Sequence, residues 1–122
     1  MVEKENKSFF DREKLLKNFS GDEDILLDIM EAFVEQIPKD LETLKESIAL
    51  QDFQTLELKA HSLKGLCANF CAENASRMAF SIESLSKEKE IDELEKIYAS
   101  FDKELNLLKD MLLELIAESK VA

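Results

Sequence analysis

His61, Lys64 and Gly65 stand together in the stretch ELKAHSLKGLCANF, residues 57–70, which holds the single histidine and one of the two glycines of the chain. An imidazole with its ordinary pKa of about 6.5 is largely neutral at physiological pH, and one ring nitrogen is then free to act as a nucleophile. Such a nitrogen can accept a phosphoryl group. An ammonium three residues on, at Lys64, lies on the same helical side and can swing beside an anion carried by the ring. Glycine inside a helix costs about 1 kcal/mol relative to alanine. Gly65, with Ala68 on the next turn, leaves the surface beside His61 low, so a flat partner could reach the ring without striking a side chain. The competing explanation is packing, since a glycine also lets a neighbouring helix come close. Glu57, one turn before His61, is a candidate to hold the other ring nitrogen and select the tautomer; otherwise it is a solvated glutamate.

The element that positions these residues reads as a helix. Phe53, Leu56, Ala60, Leu63, Cys67 and Phe70 recur in steps of three and four behind Asp52, a good N-cap. With about 100° of turn per residue, His61 points roughly 130° away from that apolar direction. It is therefore expected outside the core, sharing its side of the helix with Gln54, Glu57, Lys64, Gly65 and Ala68. Gln54, Glu57, Leu58 and Ala68 are the candidates for a surrounding docking surface. Leu58 lies almost opposite the core direction, so it is either covered by the first short helix or exposed in a docking patch with Leu66.

The other segments follow the same period. Phe10, Leu15 and Phe19 form a short stripe that ends at Ser20 and Gly21. From Asp22 to about Gln51 the inward positions are Leu26, Ile29, Phe33, Ile37, Leu41, Leu44 and Ile48, with a bend expected at residues 34–38 because Pro38 removes a backbone bond. Asn74 is a candidate cap for a helix with Ala75, Met78, Ile82 and Leu85 inward. Asp92 opens a long one with Leu94, Ile97, Phe101, Leu105, Leu108, Leu112 and Leu115 inward. Short connections make successive helices antiparallel neighbours. The expected fold is all-α, an antiparallel up-down four-helix bundle with a short additional N-terminal helix, in one domain over residues 1–122 with its core at about 9–118.

Composition narrows the function. Two glycines and one proline supply little turn chemistry for a many-stranded fold, and a formal net charge of -11 argues against a phosphate-binding nucleic-acid face. No leader pattern and no apolar run of membrane-spanning length is present, so a cytoplasmic protein is expected. The acidic residues Glu3, Glu5, Asp11, Glu13 and Asp22 to Asp24 read as solvated surface. Cys67 and Cys71, four apart on one helix, suit buried small residues better than a disulfide, and no metal site is expected, because His61 points away from them. There is no Gly-rich phosphate loop to hold a nucleotide. One apolar stripe per helix, satisfied within the bundle, is the pattern of a monomer.

The chain resembles the histidine-containing phosphotransfer (HPt) family of two-component phosphorelays. The likeness rests on AHSLKG at 60–65, on FVEQIPKDLETLKESIALQDFQTLELKAHSLKG leading into it, and on NASRMAFSIESLSKE after it, and runs from about Phe9 to Leu115. The resemblance implies a four-helix bundle that takes a phosphoryl group from an aspartyl phosphate on a receiver domain and passes it to another. His61 would be the phosphorylated residue, Lys64 the cation near the phosphoryl group and Gly65 the small residue that keeps the site open. It implies no cofactor of the domain's own, with Mg2+ held by the receiver, and as partners response-regulator receiver domains or a hybrid sensor histidine kinase. A phosphocarrier without autonomous catalysis is the expected role; the alternative is a non-phosphorylated helical adaptor. The chain departs from the family pattern at Cys71, where a second glycine is common ten residues after the histidine, and this bears on the far edge of the docking surface.

Overall fold

The computed structural model describes residues 12–19 and 21–121. Among these, five helices and no strand occur: α1 Arg12–Asn18, α2 Glu23–Leu50, α3 Phe53–Asn69, α4 Glu73–Glu88 and α5 Ile91–Val121. The expected contribution of Phe10 to the first stripe, and the acidic residues Glu3, Glu5 and Asp11, lie outside the described residues. Helices α2 to α5 form the antiparallel up-down bundle, with α3 against α4, α4 against α5, and α2 against both α3 and α5.

Capping and apolar period account for these elements. Asp22 accepts from the amides of Asp24 (2.9 Å) and Ile25 (3.2 Å), and Asp52 accepts from the amide of Thr55 at 3.2 Å, each satisfying donors that a helix start leaves over. Pro38 sits on the exposed side, and α2 passes through it as one helix. The core contains Leu26, Phe33, Ile37 and Leu44 of α2, Leu56, Ala60 and Leu63 of α3, Ile82 of α4, and Leu94, Phe101, Leu105 and Leu108 of α5. Along the long helices the buried face drifts from the expected one. Met30 is buried beside a half-buried Ile29, and Ile116 beside a half-buried Leu115, while Met78, Leu85 and Ile97 are also only half-buried. A fixed alternation of threes and fours cannot follow the contact face over so many turns once α-helical rotation and neighbour packing decide it.

Phe70, fully buried at the end of α3, stacks on Phe33 with ring centroids 4.9 Å apart and meets Phe19 at 5.0 Å. Asn18 Nδ2 donates to the Asn69 carbonyl at 2.9 Å, so α1 is anchored at the α3–α4 turn. Leu58, on the opposite half of α3, is 64% exposed; α1 does not cover it.

The three links between the main helices share one device. Gln51, Cys71 and Lys89 each adopt left-handed backbone, with φ of 55°, 61° and 58°. In each, the residue after it donates back across the helix end: Asp52 to Ser47 (2.8 Å), Ala72 to Cys67 (2.9 Å) and Glu90 to Leu85 (3.1 Å). These bonds satisfy last-turn carbonyls and reverse the chain within two or three residues. At the second link the turn runs directly into α4, whose N-cap is Ala72. Asn74 is thus inside the first turn, where its Oδ1 accepts from Arg77, and the cap expected at Asn74 is corrected.

Cys71 therefore occupies a backbone position that favours glycine, and its sulfur lies 3.8 Å from Asn18 Nδ2, at the α1 anchor. The departure from the family pattern bears on the turn's stability. Left-handed backbone costs a residue with a Cβ about 1 kcal/mol or more, part of which a glycine returns through its greater freedom when unfolded. Cys71→Gly is expected to raise unfolding stability by about 0.5–1 kcal/mol, read as a higher urea midpoint at constant slope. Lys89→Gly, at an exposed position, should move in the same direction; a lower midpoint for both would refute this account.

Candidate functional site

Two helices build the site. On α3, His61 faces outward with its side chain 65% exposed; on α4, Glu83 lies in the α3–α4 seam with its side chain only 10% exposed. Glu83 Oε2 is 3.0 Å from His61 Nδ1, and Glu83 Oε1 accepts from Lys64 Nζ at 2.9 Å. The hydrogen bond from Lys64, with a smaller one from His61, holds the Glu83 carboxyl below its usual range against the opposing effect of burial. An ionised carboxylate can only accept. Nδ1 must then carry a proton, so in the neutral ring it is Nε2 that keeps the free lone pair.

The partner of the imidazole is thus Glu83, and the role considered for Glu57 is corrected. Helical side chains lean toward the N-terminus, so Glu57 leans away from His61, and its carboxylate lies 3.9 Å from Lys87 Nζ of α4. Lys64 is half-buried and stays beside the imidazole, as its spacing suggests, through the shared carboxylate. Its ammonium also lies over the ring of Phe80, 5.1 Å from the centroid. Sequence reasoning missed both Glu83 and Phe80. The signal for Glu83 was an acid bordering the apolar stripe of α4, next to Ile82, where an ionised group demands a partner.

Around His61 the remaining candidates form an open surface: Gln54, Leu58, Gly65 and Ala68 are exposed, and Leu66 is half-buried. A Cβ built on Gly65 would meet nothing within 4 Å, so no neighbouring helix uses the space and the packing explanation fails. Gly65→Ala is accordingly expected to stabilise the fold by about 1 kcal/mol, whereas Gly65→Gln should slow phosphoryl transfer from a partner protein while also keeping the fold. Thermal melting and transfer rates separate the two effects; unimpaired transfer in Gly65→Gln would sink the access argument. Cys67 is wholly buried and its thiol is pushed up to about 12, by burial and then by Glu104. Among the described residues no group of three or more His, Cys, Asp or Glu could hold a metal ion.

A family model described as Hpt domain matches residues 28–118, a span that includes His61, Lys64, Gly65, Phe80 and Glu83. The chain belongs to the Hpt family. Histidine phosphotransfer in two-component phosphorelays is the function of this Hpt domain, in a family that works with receiver domains and hybrid kinases. Two solved structures share the fold. Histidine-containing phosphotransfer protein B from Pseudomonas aeruginosa PAO1 superposes with a TM-score of 0.82 at 19% identity, covering 90% of this chain and 96% of that one. The HPT domain of a sensor hybrid histidine kinase from Shewanella gives 0.77 at 16% identity, with 90% and 95% covered. Comparison with curated protein sequences gave no match. Among the described residues of the Hpt domain, no helix is long and apolar enough to cross a membrane.

Proposed function

We propose that His61 Nε2 is the phosphoryl acceptor, and that the domain takes its phosphoryl group from the aspartyl phosphate of a receiver domain and returns it to the aspartate of another. The observation that carries this reading is the single carboxylate of Glu83 shared by His61 Nδ1 and Lys64 Nζ. The Nε2 lone pair forms the N–P bond as the P–O bond to the aspartate breaks, and the carboxylate leaves with that electron pair. No proton moves, because Nδ1 keeps its own. The ring becomes a cation beside Glu83, which stabilises it, and the same charge makes the ring a good leaving group for the return step. Lys64 neutralises the transferred group.

Positioning and charge neutralisation are most of what this transfer needs. The domain contributes the nucleophile and one cation; the aspartate and its Mg2+ come from the receiver, and no cofactor of the domain's own is invoked. On this reading it is a carrier without autonomous catalysis, working in the cytoplasm as a monomer. Docking falls on α3 around His61, with Gln54, Glu57, Leu58 and Ala68 in contact. Charge supports that face. The acidic surplus is concentrated on α2 and α5, at exposed residues such as Glu35, Glu42, Glu46, Asp92, Glu95 and Asp110, whereas α3 and α4 are nearly balanced. A doubly anionic group meets least repulsion there.

The test is intact-mass measurement after mixing the domain with receiver domains already phosphorylated on aspartate. One added, acid-labile phosphoryl group mapped to His61 is the expected result. Binding to receivers without any transfer would replace this proposal with the adaptor reading.

A further inference from the structure

Three residues of α4 meet Lys64. Ser76 Oγ donates to the Lys64 carbonyl at 3.0 Å, the Phe80 ring lies 5.1 Å from Nζ, and Glu83 Oε1 accepts from Nζ at 2.9 Å. They follow one another at spacings of four and three, so they lie on one stripe of α4 facing α3. Ser76 fixes the backbone end of the lysine and Glu83 its charge. Phe80 is 55% exposed, and core packing does not account for a ring left more than half in water. The cation over its face does, because the negative face of an aromatic ring attracts an ammonium.

We propose that Phe80 is a positioning residue for phosphoryl transfer: its ring and Glu83 together hold the Lys64 ammonium beside the imidazole before the phosphoryl group arrives. A lysine ammonium on a four-carbon stem held only at one oxygen can still pivot; a ring face on a second side restricts that motion. Of its three N–H donors one is spent on Glu83, and the ring attracts the charge without accepting a full hydrogen bond, so donors remain for the incoming oxygens. This inference rests on the role proposed above for Lys64.

The test uses phosphoramidate, a small donor too simple to need a protein docking surface. Nε2 forms the N–P bond, the P–N bond of the donor breaks, and the nitrogen leaves as ammonia after protonation by solvent. Phe80→Leu should lower the rate of mass gain about two- to fivefold, the range an exposed cation–π contact supports, with unchanged melting. Phe80→Trp should restore it. In a Lys64→Met background, Phe80→Leu should have no further effect. Independently of reactivity, the Lys64 Hε protons should be shifted upfield by the ring in NMR spectra and return to ordinary lysine values in Phe80→Leu. A rate equal to the parent's, a loss that persists without Lys64, a defect seen only with receiver donors, or no upfield shift would each overturn the proposal. If Lys64→Met alone leaves transfer unchanged, the role of the lysine fails instead.

Discussion

His61→Gln is expected to gain no phosphoryl mass from any phosphorylated receiver, while its helicity and melting stay within about 0.5 kcal/mol of the parent. The loss is complete because the variant has no nucleophilic nitrogen at that position. The fold is spared because the side chain is 65% exposed and, among the described residues, its polar contact is to Glu83. Glutamine can offer an N–H to the same oxygen, and Glu83 keeps Lys64, so no buried charge is left unpaired. Mass gain that persisted in this variant would assign the phosphoryl group to another residue, and a large fall in melting temperature would make His61 a structural residue.

Glu83→Gln is expected to lower the rate of transfer at saturating phosphorylated receiver by about ten- to a hundredfold. An amide can accept from Nδ1–H or donate to Nδ1, so the tautomer is no longer fixed, and the cationic ring loses its counter-charge. The corresponding loss at a buried catalytic carboxylate reaches about 10⁴; here one side of the imidazole is open to water, and screening reduces the effect. The same variant has a stability signature. Because the Glu83 pKa is depressed in the folded domain, its pairing contributes fully above its ordinary value of 4.5 and is lost as pH falls through the lower folded value. Below about pH 4.5 the parent's melting temperature should therefore fall more steeply than that of Glu83→Gln. An unchanged transfer rate would remove Glu83 from the mechanism, and parallel acid limbs would show that its charge pairing does not contribute to stability.

How far the site was legible depends on whether the relevant residues share a helix. The outward placement of His61 and the neighbourhood of Lys64, Gly65 and Ala68 followed from the apolar period of α3 alone, because residues three and four apart must be neighbours on a helix. Glu83 was not accessible in that way. It is separated from His61 by twenty-two residues and reaches it only through the rotation of α4 about its axis against α3, which the pattern on α3 does not encode. Glu57 was the candidate within reach of the rule, and the lean of helical side chains took it to Lys87 instead. Gly65 was recognisable as costly, but only the empty space around it separates access from packing. At Asn74 a good capping residue was overridden by the left-handed turn at Cys71, which starts α4 before Asn74 is reached.

The brevity of the links has a consequence for what the domain can keep. Between α3 and α4 the chain spends three residues, and between α4 and α5 two, all engaged in reversing direction. That leaves these helices no slack with which to fold a flap over His61. On the role proposed for His61, a phosphoryl group there would be a parcel carried in the open hand, within reach of water from the departure of one partner to the arrival of the next. Under that proposal retention would be a race between hydrolysis and encounter, set by the supply of receivers and not by a movement of these helices.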